Sequence, residues 1–238
     1  FLKPAIISSQ HIDTIFINFT HYIFSCLESK KNILGTKALN YIKWGESNEM
    51  NVGASVESHR PFWYSLQSED IDTIFFRFWD KRFFSPIANN PMCCSDNFCY
   101  GNFLKNEWAS KLIVNSTFYF LQINLFGNSN QGQGVLTTYM DYDYPFIRMP
   151  ILEANENKYK KTIQKLATRK IKSIYEECGI DPKSDIPIEE QEPNPLTDRA
   201  ELDNIVFDAL NLTKEERKEV YRAVCRLVWN RISKANSV

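Results

Sequence analysis

Histidine is scarce in this chain: three in 238 residues, which leaves little for a catalytic triad. Long apolar runs are missing too. No stretch of eighteen or more apolar residues occurs, which argues against a membrane-spanning helix. The start of the chain lacks the basic, apolar and small-residue order of a secretory signal. The six cysteines (Cys26, Cys93, Cys94, Cys99, Cys178 and Cys225) are scattered, and two are adjacent. That spacing is poor material for a disulfide framework and points to a reducing cytoplasm. The cluster Cys93-Cys94-x4-Cys99 also lacks the CxxC pairs of a structural zinc site, so no metal is expected. Walker loops, GxSxG elbows and HExxH helices are all absent. So are fixed-period repeats, low-complexity tracts and any readable paired-carboxylate nuclease site. The first residue is Phe1 rather than Met, which suggests a segment of a longer polypeptide.

What is present is aromatic and segregated in charge. Hydrophobic residues make up 43% of the chain and aromatics 14%, including five Trp and seventeen Phe. A chain of this length and content can bury a real core in one large domain or two small ones. The aromatic excess suggests a packed, partly β domain with some rings on a binding surface. The net charge of −1 hides blocks. Residues 153–178 hold seven Lys/Arg against four acids, and residues 204–238 repeat that balance; residues 179–203 between them hold two against eight. Blocks of this kind suit one positive face, and equally suit ordinary solvated helix faces.

Residues 1–104 read as mainly β, with short runs at Thr14–Phe19, Phe62–Leu66 and Thr73–Phe78. Thr36 is placed to cap a helix through Ala38, Leu39, Tyr41 and Ile42 that ends near Gly45. In residues 105–152, a helix with Leu112, Ser116, Tyr119 and Ile123 on one face runs to Gly127. A glycine loop and a strand from Val135 to Tyr139 follow. Residues 153–178 read as one basic amphipathic helix, stopped by Gly179 in the C′ role. Asp181 to Pro195 carries four of the ten prolines and reads as a linker or surface loop. Two helices close the chain, their starts marked by the capping-box pairs Asp198/Glu201 and Thr213/Glu216. The apolar stripes would be Leu202, Ile205, Val206, Ala209 and Leu210, then Val220, Ala223, Val224, Leu227 and Val228. The expected fold is α+β: a mixed sheet with hairpins, amphipathic helices and a C-terminal helical hairpin.

The wording of that tail, LDNIVFDALNLTKEERKEVYRAVCRLVWNRISKANSV, resembles the extreme C-terminus of adenine-specific DNA methyltransferases of restriction–modification systems. Earlier phrases resemble the target-recognition region of the same enzymes. They are Phe1–Pro4 with Ile6-Ile7, Tyr41–Glu46, Arg60–Leu66, Val114–Thr117 followed by Gly127 and Gly132–Leu136, and Tyr144–Pro150. The resemblance implies a type II or fused restriction–methylation enzyme whose catalytic domain lies upstream. Consistent with this, the family's glycine loop for S-adenosylmethionine and its Asn/Asp-Pro-Pro-aromatic motif are missing here. Asn89-Asn90-Pro91-Met92 and Asn194-Pro195-Leu196 each have one proline and no following aromatic. No cofactor is therefore expected in this segment, and S-adenosylmethionine is expected in the upstream domain. On this reading, residues 1–152 are a target-recognition domain that binds double-stranded DNA. Residues 153–238 are a helical extension with an acidic, proline-containing linker at 180–197. The alternative is a scaffold module that docks the catalytic part without reading bases.

Candidate DNA contacts follow from chemistry. Arg77, Lys81 and Arg82 alternate with Phe78, Trp79, Phe83 and Phe84. A strand with arginines on one face and aromatics on the other can enter a groove, where arginine reads guanine bidentately; charge that protects a sheet edge explains the same pattern. Asn128, Asn130, Gln131 and Gln133 sit around Gly132 and Gly134, where amides can pair with adenine and glycine backbone can approach a phosphate. A tight helix-to-strand turn is the plainer account of those glycines. Lys43, Trp44 and Arg60 suit backbone contact and stacking. Lys161 and Arg169, with Lys158, Lys160, Lys165, Lys170 and Lys172, are placed to track phosphates or simply to solvate a helix.

Overall fold

β-branched and aromatic runs at the start of the chain form the sheet, and amphipathic runs in its second half form the helices that cover it. A computed structural model describes residues 1–10, 12–66, 69–95, 98–103, 105–129, 134–138 and 147–236. The fold is α+β. A mixed six-stranded sheet is built from β1 (Leu2–Ile6), β2 (Phe16–Ile17), β3 (His21–Phe24), β4 (Ile71–Phe76), β6 (Ile87–Cys94) and β7 (Phe98–Gly101). Its order is β3-β1-β6-β4-β7, with β2 also pairing β6. β1 and β2 run parallel to β6, and the other pairings are antiparallel. A small second sheet, order β5-β9-β8, joins β5 (Phe78–Trp79), β8 (Asn128–Ser129) and β9 (Leu136–Thr137).

β6 hides from a sequence reading because Asn89-Asn90-Pro91 looks like a turn. It is accommodated by a register shift. Ile71 faces Met92 while Thr73 faces Ile87, so the Asn-Asn-Pro segment bulges out of the ladder where proline needs no donor. Phe62–Leu66, by contrast, is no strand. It is a turn in which Phe62 stacks on Tyr64, and Tyr64 enters a small separate core with Cys26, Ile33, Ala38, Leu39 and Ile42. The helix over that core, α1 (Lys37–Ser47), is capped by Thr36 as expected. It continues past Gly45, where the Trp63 ring leaves no room for a Cβ. α2 (Ala54–Glu57) completes this lobe.

Three helical expectations are corrected. The Leu112–Ile123 helix is two, α3 (Glu107–Ile113) and α4 (Thr117–Phe126), because Ser116 starts a new helix by accepting from the Tyr119 N–H. The basic helix of 153–178 is also two, α5 (Glu156–Leu166) and α6 (Ile174–Cys178). Ser173 and Glu176 form a reciprocal capping box there, and Gly179 closes α6 in the left-handed conformation at φ 63°. In α7 (Thr197–Ala209), Asp198 is not the cap: the cap position is Leu196, without a side-chain bond. The true box lies at α8 (Lys214–Asn236), where Thr213 and Glu216 bond each other's backbone N–H groups. Buried positions in α7 are Arg199, Leu202, Asp203, Val206 and Phe207, so Ala209 faces solvent and Phe207 takes the core place.

The main core runs without a break from Ile6 on β1 to Val228 on α8. α4 packs on both α7 and α8, α3 on α5, and Phe207 meets Tyr221 edge to face across the C-terminal hairpin. The segment 181–195 is a surface loop held in place rather than a loose tether. The Gln191 amide donates to the carbonyls of Asp181 and Ile186, Ile188 is buried, and Arg222 donates to the Gln191 carbonyl.

Candidate nucleic-acid interface

At Arg77 the chain leaves β4 and enters β5, and the aromatic residues then sort themselves by face. Trp79 is buried, stacks on Phe83 at 5.4 Å, meets Phe76 edge-on at 5.5 Å and donates from Nε1 to the Thr138 hydroxyl. Phe83 and Phe84 are also core. Phe78 points outward, 53% exposed, next to the exposed Asp80, Lys81 and Arg82. The expected division between cations and rings is met only in part: Lys81 and Arg82 are outside and Trp79, Phe83 and Phe84 inside, but Phe78 lies on the outer side and Arg77 is turned partly inward. Arg77 is half-buried, and its Nε lies in the interior without a partner. None of Arg77, Lys81 and Arg82 forms an ion pair among the described residues.

β9 brings the second candidate segment beside the first. Thr137 pairs with Phe78 on one side and with Asn128 on the other, so these three residues form one row across the small sheet. Two strand spacings put Phe78 and Asn128 about 10 Å apart, on the same face. Segments fifty residues apart in sequence thus share one surface. Asn130, Gln131 and Gln133, in the loop between β8 and Gly134, lie outside the described residues, as does Tyr139 at the expected end of the strand.

Lys43 and Trp44 lie on the smaller lobe. Trp44 is 49% exposed and stacks on Tyr41 at 5.5 Å; Tyr41 touches Phe24, and Phe24 touches Phe1. A groove of about 450 Å³ runs along this ladder, with Lys37 at its rim. Lys37 and Lys43 are exposed and make no ion pair among the described residues. The exposed Arg60 turns its guanidinium to the carbonyls of Glu57 and His59, so its first task is to hold the loop before Pro61. Trp63 donates from Nε1 to Glu46 at 3.1 Å, which places it in the lobe's framework.

The basic segment behaves differently from its sequence. Lys158, Lys160 and Lys161 remain exposed without ion pairs among the described residues, with Lys160 above the Trp108 ring. Lys165 is held by Glu201 at 2.7 Å, Lys170 by Asp13 at 2.6 Å and Lys172 by Glu176. Arg169 is the clearest departure from the phosphate-tracking role. It makes fork-like contacts with both Glu177 and Asp198. Glu177 also accepts from Arg199, whose side chain is fully buried and also donates to the Asn115 carbonyl. Asp203 completes the cluster by accepting from the Thr117 N–H and hydroxyl. Burial opposes the charge on Glu177 and Asp198, but hydrogen bonds from Arg169, helped by Arg199, outweigh it and hold both carboxyls below their usual range. At Asp203 burial wins, and its pKa is raised. Sequence spacing carries no sign of this network beyond the adjacency of the basic and acidic blocks.

Among the described residues, no group of three or more His, Cys, Asp or Glu is placed to hold a metal ion, and no helix is long and apolar enough to cross a membrane. No protein-family model matches the chain, and no curated protein sequence does. A solved structure does. The chain's fold is similar to part of the type IIG restriction endonuclease BpuSI, with a TM-score of 0.60 and 15% sequence identity. The match covers 98% of this chain and 27% of that one, so the chain spans about a quarter of the enzyme's length.

Proposed function

We propose that this chain is the DNA target-recognition part of a restriction–modification enzyme of the adenine-methylating kind. The observation that carries this reading is the small β5-β9-β8 sheet, which sets Phe78, on the outer side next to the exposed Lys81 and Arg82, in one row with Asn128. Arginine and amide side chains on one surface are the pair that reads guanine and adenine in the major groove. Lys43, Lys158, Lys160 and Lys161, which form no ion pair among the described residues, would add phosphate contacts without sequence information. Two further observations support the reading: the tail wording, and a fold shared along almost the whole chain with a restriction endonuclease. In this scheme the chain clamps duplex DNA and presents one adenine. An upstream domain then flips that base and methylates its exocyclic amine using S-adenosylmethionine.

The test is selection of duplexes from a randomised pool, followed by mobility shifts over a salt series. The expected result is an enriched sequence whose affinity falls steeply with salt. A second reading, a docking module for the catalytic part, is favoured by the Phe1–Phe24–Tyr41–Trp44 ladder, in which Phe1, Tyr41 and Trp44 are exposed. Absence of duplex binding at low ionic strength would decide for it.

A further inference from the structure

The segment carrying Arg77, Lys81 and Arg82 is held by its carbonyls along nearly its whole length. The Phe76 carbonyl accepts from the Thr138 hydroxyl and the Arg77 carbonyl from the Thr138 N–H. The Lys81 carbonyl accepts from the N–H of Ile174, the first residue of α6. Of the three carbonyls between, those on Trp79 and Asp80 are bonded from far along the chain by Arg231 of α8, at 3.2 and 2.7 Å. The same guanidinium donates to the carbonyl of Gly134, two residues before β9. Gly134 lies against α8: a Cβ there would stand 3.2 Å from Ala235 Cβ, and its φ of +63° disfavours any other residue. One side chain on the last helix thus joins the Arg77–Arg82 segment to the stretch entering β9, the strand that pairs with Asn128.

We propose that Arg231 is a positioning residue for sequence discrimination. It fixes the Arg77–Arg82 segment and the Gly134 entry to β9, the strand that pairs with Asn128, relative to each other, and touches no DNA itself. This rests on the target-recognition reading above. The geometry needs an arginine. Its planar fork spans three carbonyls from three different residues, whereas the lysine ammonium is a single point at the end of a flexible stem. The donors already in use face the protein, and Nε is buried, so the side chain has little left to offer a phosphate. What depends on it is the placement of two surfaces, and discrimination is sensitive to that placement, because base-edge contacts need bidentate geometry and phosphate contacts do not.

The experiment uses the intact protein with two probes: the duplex it enriches from a randomised pool, and a scrambled duplex of equal composition. Arg231→Met keeps the aliphatic stem. It is expected to weaken binding to the enriched duplex by about tenfold or more while leaving the scrambled duplex within about twofold. Ala235→Leu, which presses on Gly134 and leaves Arg231 intact, is expected to reduce the ratio in the same way. Arg226→Ala, on the same helix but paired with Glu189 and Glu219 at the surface, is expected to leave both affinities unchanged. Equal loss on both duplexes, or an unchanged ratio despite a lower melting temperature, would overturn the proposal and leave Arg231 a brace. If the wild-type protein enriches no sequence at all, the target-recognition reading falls first and takes this proposal with it.

Discussion

Two stretches of this chain look alike on paper: Arg77–Arg82, and Lys158–Lys172. Both mix cations with apolar residues, and by count the second is the stronger candidate for a phosphate surface. In the folded molecule their situations diverge. The acidic block of residues 179–203 packs back on the basic one, and its Asp198 and Glu201, with Glu177 of the basic block itself, take Arg169 and Lys165 into ion pairs. No carboxylate among the described residues reaches Arg77, Lys81 or Arg82 to within ion-pair distance, and the backbone beneath them is tied down. What makes a cation available to a ligand is the absence of a nearby carboxylate in space, and the local density of lysine and arginine says little about that.

The strongest way to break this contrast is at Glu177. Glu177→Ala leaves the fully buried Arg199 and the half-buried Arg169 without their shared partner, and a loss of about 3–5 kcal/mol in urea unfolding is expected. A loss below about 1 kcal/mol would mean that the network is not a structural element, since that is the range of an exposed pair. The same network sets an acid limit. Glu177 and Asp198 have lowered pKa values, so their stabilisation is complete above the ordinary values of 4.5 and 3.8. It disappears as pH falls below these, through the depressed folded values. Asp203, raised by burial, works in the opposite sense. Urea unfolding from pH 7 down to 3 is expected to show falling stability, with a shallower fall in Glu177→Gln.

A smaller effect is expected on the DNA side. Arg82→Ala should weaken binding to an enriched duplex by about 1–3 kcal/mol with little change in stability, if it reads a base. Equal loss on scrambled DNA would reassign it to the phosphates. The smallest effects should separate the cations of α5. Lys161→Ala is expected to lower the slope of log affinity against log salt by about one. Lys165→Ala, whose charge is engaged by Glu201, is expected to leave that slope unchanged. Equal responses from these two lysines would dissolve the distinction drawn between paired and unpaired cations.

Much of the local structure was legible in the residues. Thr36 caps α1, Gly179 ends α6, and the Thr213–Glu216 box starts α8, because each signal acts within one helical turn and needs no partner from elsewhere. Signals that depend on distant partners misled. Asp198 has the spacing of a capping residue, but Arg169 draws its carboxylate into a fork, and the α7 start goes without a side-chain cap. Asn89-Asn90-Pro91 has the composition of a turn, yet it is the bulge of a central strand because β1, β2 and β4 all pair with β6 around it.

The candidate site divides in the same way. The sequence by itself determined its chemistry: arginines beside aromatics in one stretch, and amides beside glycines in another, within a chain of α+β pattern and a C-terminal helical pair. Only the tertiary structure decided that Phe78 and Asn128 are neighbours across β9, and that Arg231 of the last helix bonds Trp79, Asp80 and Gly134 together. The reason is one of range. Capping and periodicity act over three or four residues, whereas Arg231 meets carbonyls about a hundred and a hundred and fifty positions away, which only a packed core can bring within reach.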